Sequence, residues 1–223
     1  MSDSPKYNRT FHLPFSPGLQ NDDRRVDSVD HWLKRSIMIT EKMDGSNLCF
    51  ERDNIFSRSH SKYPVHESFN AAKAEWARVH HDITAGLQVF GEWCWAKHSI
   101  HYTNLPGFFM IFGVRDLRNT LWWDWSGVEC LAADLGFPTV PIITENIIAT
   151  SERSLQNAVE TSIQSRSKIT NREVEGIVVR PDRWHQCFRD SEFQTKVCKW
   201  VRKDHIQTDE HWMNLSIVRN SLA

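Results

Sequence analysis

Short apolar runs separated by turn formers dominate the chain. Ile37 to Glu41, Leu48 to Glu51 and Ile55 to Arg58 have strand length, with Asp44-Gly45 and Asp53-Asn54 between them. They predict an antiparallel meander. Leu87 to Trp93 and Phe108 to Val114 are apolar enough to be buried strands. Thr139 to Ile143, Gly176 to Val179 and Thr195 to Val201 predict three more. Helical spacing takes over where Phe69, Trp76, Val79 and Ile83 recur with charges between them, predicting a helix over 67–83. Ser126 and Glu129 have capping-box spacing before Cys130 to Leu135, with Gly136 as a stop. Ser151 to Ser165 predicts a surface helix. About thirty residues at the start, with Pro14, Pro17 and Gly18, read as an arm packed on the body. Helices interleaved with short, hairpin-linked strands imply an α+β class with antiparallel sheets.

Composition narrows the class. The chain has 223 residues and is 40% hydrophobic, which suits a single domain over 1–223 with a short tail at about 203–223. No apolar run is long enough to cross a membrane, and the first residues lack the apolar stretch of a signal peptide. The five cysteines show no paired spacing, so a reduced, cytoplasmic protein without zinc is expected. The eleven histidines form no convincing ligand set. The net charge of −1 excludes a uniformly basic nucleic-acid binder. Arg180, Arg183, Arg189, Lys196, Lys199, Arg202 and Lys203 do cluster along the sequence, which equally suits a solvated basic face. Of the ten tryptophans, Trp122, Trp123 and Trp125 read as packing residues.

Candidate chemistry begins at Glu41-Lys42-Met43-Asp44-Gly45, directly after Ile37-Met38-Ile39. Burial at a strand end disfavours the ammonium form of a lysine, and a deprotonated lysine is a nucleophile. Gly45 permits a tight turn and close approach of a ligand. By itself the stretch also reads as a hairpin turn. Further along stand Arg58, then Phe90-Gly91-Glu92-Trp93, then Phe108 to Asp116. Glu175-Gly176-Ile177-Val178-Val179-Arg180 follows, and Lys196 to Arg202 closes the series.

This ordered series, from Lys42 to Lys199, resembles the covalent nucleotidyltransferases: DNA ligases, capping guanylyltransferases and, above all, ATP-dependent RNA ligases. The resemblance implies two mostly antiparallel sheets with flanking helices and a nucleotide between them. It implies a ligase that joins 5′-phosphate and 3′-hydroxyl RNA ends through lysine-adenylate and RNA-adenylate intermediates, with a natural role in RNA repair. ATP and Mg²⁺, or Mn²⁺, are the implied cofactors. Lys42 would be the nucleophile, and Asp44 would position it or bind the reacting 3′ end. Glu41 would offer its backbone carbonyl to the adenine amino group. Arg58 would meet the ribose or a terminal phosphate, with His60 and Lys62 nearby. Glu92 would bind the ribose, and Phe112 would stack on adenine. Glu175 would hold the metal. Arg180 would face the phosphates, and Lys199, with Lys196 second and Arg202 third, would neutralise the α-phosphate and pyrophosphate. Two departures stand out. Gly113 follows Phe112 where many ligases carry an acid, and the closing lysines are one residue further apart than in many relatives. The His-Leu-Pro stretch at His12-Leu13-Pro14 resembles the start of some RNA-ligase-like proteins and would border the nucleotide pocket. About twenty residues follow Arg202, too few for the OB-fold usual in DNA ligases and capping enzymes. A minimal DNA ligase and a non-catalytic RNA-end-binding module are the alternatives.

Overall fold

The computed structural model describes residues 4–19, 22–58, 64–183, 186–203 and 216–223. His60 and Lys62, like the tail from 204 to 215, lie outside the described residues. Eleven strands are formed among those residues: β1 (Phe11–His12), β2 (Ser36–Lys42), β3 (Ser46–Phe50), β4 (Ile55–Ser57), β5 (Leu87–Trp93), β6 (Phe109–Asp116), β7 (Leu121–Trp122), β8 (Ile142–Ile148), β9 (Gly176–Pro181), β10 (Phe188–Arg189) and β11 (Cys198–Val201). One sheet has the order β1-β11-β9-β2-β8, the other β10-β7-β6-β5-β3-β4. Every strand pair is antiparallel except β1 with β11, so the expected class and sheet type hold. Four α-helices accompany them: α1 (Asn70–Val79), α2 (Trp125–Leu135), α3 (Glu152–Gln164) and α4 (Phe193–Lys196). No described helix is long and apolar enough to cross a membrane.

Alternation along the strands sorts side chains between layers. In β2 and β9, Ile37, Ile39, Ile177 and Val179 enter a core shared with Leu155 and Val159 of α3. Met38 faces the opposite way, into the core of the second sheet. That second core is centred on β3, β5 and β6, where Phe50 and Phe109 stack with centroids 4.1 Å apart.

Several local expectations change for identifiable reasons. The helix expected over 67–83 is α1 flanked by single 3-10 turns at Glu67–Phe69 and His80–Asp82. Ser126 and Glu129 do not form a capping box. Asp124 caps α2 instead, its side chain accepting from the Gly127 N–H, and Ser126 and Glu129 fall inside the helix. Gly136 ends α2 in the left-handed region, as expected. The strand expected at 139–143 starts later, as β8. Pro138 and Pro141 offer no N–H there, and Thr139 makes only an isolated bridge to Ile111. The strand expected from Thr195 begins at Cys198. Buried Phe193 anchors α4 in the aromatic cluster, and the Val197 N–H closes that turn on the Phe193 carbonyl.

Two terminal segments are clipped onto this body. Arg115, on β6 and almost fully buried, donates to Gln88, Asn8, Asp190 and the backbone carbonyls of Pro5 and Lys6. Its guanidinium also lies 5.1 Å from the Trp122 ring centre. The described C-terminal stretch runs along residues 94–105. Buried Asn220 donates to the Cys94 carbonyl and accepts from the Tyr102 N–H. Trp122 and Trp125 are buried and Trp123 packs against the core, which agrees with a packing role.

Replacing Arg115 with Leu strands the Gln88 carbonyl oxygen and frees the arm. We expect a stability loss of about 3 kcal/mol, typical of breaking a buried charge pair, read as a lower midpoint in urea unfolding.

Candidate functional site

A cavity of about 790 Å³ opens between the two sheets. The first sheet contributes Lys42, Val178, Arg180 and Lys199 to its wall. From the second come Ser46, Asn47, Glu92 and Phe112, with Arg58 just past β4. The N-terminal arm adds Tyr7, Asn8 and Thr10.

The register of β2 against β9 builds the floor. Lys42 pairs with Gly176 at the open end of the ladder, so Glu175, one residue beyond that pair, comes beside the lysine. Lys42 Nζ donates to both Glu175 carboxylate oxygens, at 2.7 and 2.8 Å. Gly176 has no substitute here, because a Cβ would lie 2.3 Å from the Trp200 carbonyl oxygen of β11. Burial alone pulls the Lys42 pKa down, but Glu175, Glu92 and Asp44 outweigh it and the net direction is up. The expectation of an easily deprotonated lysine is therefore overturned for the ligand-free protein. Pairing with a carboxylate, not desolvation, decides its charge.

Glu92 lies on β5 opposite Asn47 and lines the cavity. Burial raises its pKa to about 8, against the pull of Lys42 and with the help of Glu175 and Asp44. Asp44 is buried and absent from the cavity wall. Its Oδ2 accepts from the Ser99 N–H, the Ser99 hydroxyl and the Ile100 N–H, so it anchors the segment after Cys94. Glu41 reaches the cavity at the end of β2 and is only 2% exposed. Neither of its carboxylate oxygens has a well-aligned partner among the described residues. Burial pushes its pKa up to about 7, with the Ser167 hydroxyl pulling the other way.

Of the aromatics on β6, Phe112 is the one that faces the cavity. Phe109, three residues earlier, is core. Val178 is also in the wall, on the other sheet, so the two form apolar sides of one slot. Lys199 lines the cavity and Lys196 does not. Lys196 ends α4, two residues before β11, and lies outside the wall. Arg202 pairs with Glu173 at 2.7 Å, also outside it. The linear basic cluster disperses in space: Arg183 pairs with Glu129 and Glu145, and Arg180 is buried.

Lys199 brings an unforeseen partner. Its Nζ donates to Asp23 at 2.9 Å, and His12 Nε2 lies 3.1 Å from the other oxygen of that carboxylate. Burial lowers the Lys199 pKa. Asp23 opposes that shift, and Lys42 and Arg58 add to it. Burial and then Lys199 push His12 down to about 4, so its ring is neutral. Lys42, Lys199 and Arg58 thus gather positive charge in the cavity wall. Nothing in the local sequence marks Asp23, Tyr7 or Asn8, because each reaches the site only through tertiary docking of the arm.

The oxygen donors suit a hard divalent cation at Glu175. No group of three or more such ligands is assembled among the described residues. A metal here would complete its shell with substrate phosphate and water.

The family model described as RNA ligase matches residues 35–201. No curated protein matches the chain. Among solved structures, a mutant Naegleria gruberi RNA ligase with ATP and Mn is similar at 13% identity and a TM-score of 0.60, over 92% of this chain and 58% of that one. Naegleria gruberi RNA ligase with pyrophosphate is similar at 15% identity and a TM-score of 0.58, over 89% and 61%. An archaeal ATP-dependent RNA ligase is similar at 14% identity and a TM-score of 0.52, over 91% and 50%. The chain therefore spans about half to three fifths of the length of these proteins. At such identities the likeness concerns the fold.

A raised carboxyl pKa contributes stability that is complete below its unfolded value and lost as pH rises to the folded value. For Glu92 that window runs from its ordinary 4.5 to about 8. Glu92→Gln should therefore gain thermal stability relative to the wild type as pH rises from 4.5 to 8. Melting curves across that range check the trend.

Proposed function

Because this chain belongs to the RNA ligase family, we propose that it is an ATP-dependent RNA ligase, with residues 1–223 forming its adenylation domain. It would join 5′-phosphate and 3′-hydroxyl RNA ends through a lysine-adenylate and an RNA-adenylate, in cytoplasmic RNA repair. The observation that carries this reading is Lys42 in the cavity wall, held by Glu175 and flanked by Lys199 and Arg58.

In the first step Lys42 Nζ attacks the α-phosphorus of ATP. An N–P bond forms as the bond to the pyrophosphate oxygen breaks, and pyrophosphate leaves. The ammonium must first lose a proton, and the Glu175 carboxylate, bonded to Nζ through both oxygens, is the group placed to accept it. Charge drawn to Glu175 by a ligand weakens that pairing. A divalent cation at Glu175 would neutralise phosphate charge. Lys199 and Arg58 supply fixed positive charge for the phosphates, where preorganised cations act most strongly. Phe112 and Val178 would flank the base, Glu92 would receive the ribose hydroxyls, and the Glu41 backbone would meet the base edge. In the second step the adenylyl group passes to an RNA 5′-phosphate, breaking the N–P bond. In the third, a 3′-hydroxyl attacks that phosphate and AMP leaves. RNA selection would rest on sugar hydroxyls and A-form shape.

Incubation with Mg²⁺ and ATP labelled at the α-phosphate should give labelled protein on a denaturing gel. Lys42→Ala should abolish the label, and wild-type labelling in that variant would falsify the nucleophile. Glu175→Ala should lose metal-dependent turnover, and unchanged metal dependence would remove it from the site. Sealing of nicked RNA against nicked DNA then identifies the polynucleotide.

A further inference from the structure

One acid of the N-terminal arm has no part in the three steps. Segment 24–26, β1 and β11 run side by side. The His12 N–H donates to the Arg24 carbonyl at 2.7 Å, the Val26 N–H donates to the His12 carbonyl at 2.9 Å, and His12 is the register partner of Lys199. The Leu13 N–H donates to the Lys199 carbonyl at 2.8 Å. Asp23 precedes this segment by one residue, and its carboxylate spans two partners. Oδ1 accepts from Lys199 Nζ at 2.9 Å, and His12 Nε2 lies 3.1 Å from Oδ2. Lys199 lines the cavity and Asp23 does not, so any influence of the acid on a ligand passes through the lysine.

The buried His12 acts as a fixed brace. Ser16 Oγ lies 2.8 Å from His12 Nδ1 and accepts from the Val201 N–H at 3.0 Å. The Ser16 hydroxyl hydrogen then goes to Nδ1, and Nε2 carries the hydrogen that faces Asp23. The opposite tautomer would set a bare nitrogen lone pair against a carboxylate oxygen. Arg25 Nη2 donates to the Ser16 carbonyl at 3.1 Å, which ties the turn holding the histidine to the segment that follows Asp23. Lys199, in contrast, is a point charge on a flexible four-carbon stem. Burial, Lys42 of β2 and Arg58 just past β4 disfavour its charged form, and Asp23 opposes them. Without Asp23 the stem is free to swing and the charge is less secure.

We propose that Asp23 is a positioning residue, which acts through Lys199 to fix a cation where the leaving pyrophosphate develops charge. This rests on the ligase reading of the cavity given above. Nζ carries three donors, and the bond to Asp23 leaves two for phosphate oxygens. A cation held in place before the reaction stabilises developing charge without reorganising, whereas a mobile one serves ground state and transition state alike. Asp23 therefore acts on the rate of the first step more than on ATP affinity. The stretch His12-Leu13-Pro14 and Ser16 gain a role at the same time, because they hold Asp23 against the strand that carries the lysine.

The test is single-turnover labelling of AMP-free protein with Mg²⁺ and α-labelled ATP over a range of ATP concentrations. Asp23→Asn should lower the maximal rate roughly 10- to 100-fold, the scale of a misplaced catalytic group. It should change the half-saturating ATP concentration by less than about threefold, the mark of a group that acts in the transition state. Asp23→Glu keeps the charge one methylene further out and should fall between wild type and Asp23→Asn. It answers the question if the amide variant does not fold, which circular dichroism and melting curves establish. In a Lys199→Met background, Asp23→Asn should cost nothing more, because the group it positions is gone. An equal loss in that background would mean that Asp23 acts apart from Lys199, and would overturn the proposal. A full rate with a lowered melting temperature would overturn it too, leaving Asp23 as a brace of the arm. So would a raised half-saturating concentration at full rate, which marks a ground-state contact. If Lys199→Met gives no label, the split between rate and affinity in Asp23→Asn is the criterion. No label from the wild type would overturn the ligase reading itself, a result distinct from any change at Asp23.

Discussion

The pairing of Lys42 with Glu175 across the end of the β2–β9 ladder is the constraint around which the site is arranged. The two residues are 133 positions apart in sequence, and only the ladder register brings them face to face. A one-residue slip would turn Lys42 from the cavity into the core holding Ile39 and Ile177, because side chains alternate between faces. Close approach of β11 at Gly176 helps hold that register, since no side chain fits there. Geometry and charge state thus come from one arrangement: the strand pairing that presents the lysine also supplies the carboxylate that keeps it protonated.

The polar interior follows two rules. Arg115, Asp44 and Asn220 have their hydrogen-bonding groups matched by neighbours and serve to tie segments together. In contrast, atoms of Asn47 and Arg180 are buried without a matched partner among the described residues, and both line the cavity, whereas the unmatched Thr40 hydroxyl and Trp125 Nε1 lie outside its wall. Matched groups hold a structure in one arrangement, whereas unmatched ones invite a ligand. Glu92, its pKa raised by burial beside Glu175 and Asp44, also lines the cavity.

Docked terminal segments finish the cavity. The N-terminal arm is held by Arg115 and by the parallel pairing of β1 with β11. It delivers Tyr7 and Thr10 to the slot and Asp23 to Lys199. The C-terminal stretch acts on the opposite side. Asn220 grips Cys94 and Tyr102, Tyr102 accepts from the Asp44 N–H, and the segment between them binds the Asp44 carboxylate. The turn that follows the lysine is therefore braced by a residue far away in sequence.

The sequence by itself determined the elements and the motif series. Short apolar runs marked β2, β5 and β6, helical spacing marked α1, and Gly136 marked the end of α2, because those signals are local. Lys42, Arg58, Glu92, Phe112 and Lys199 were legible as candidates and share one cavity. Tertiary structure decided the charge of Lys42, the anchoring role of Asp44, the exclusion of Lys196 and the burial of Arg180. It also brought in Tyr7 and Asp23, which no motif marks. The division has one physical cause. Backbone preference and side-chain periodicity act over a few residues, whereas pKa, burial and the ligand a side chain can reach depend on neighbours that only the folded chain supplies.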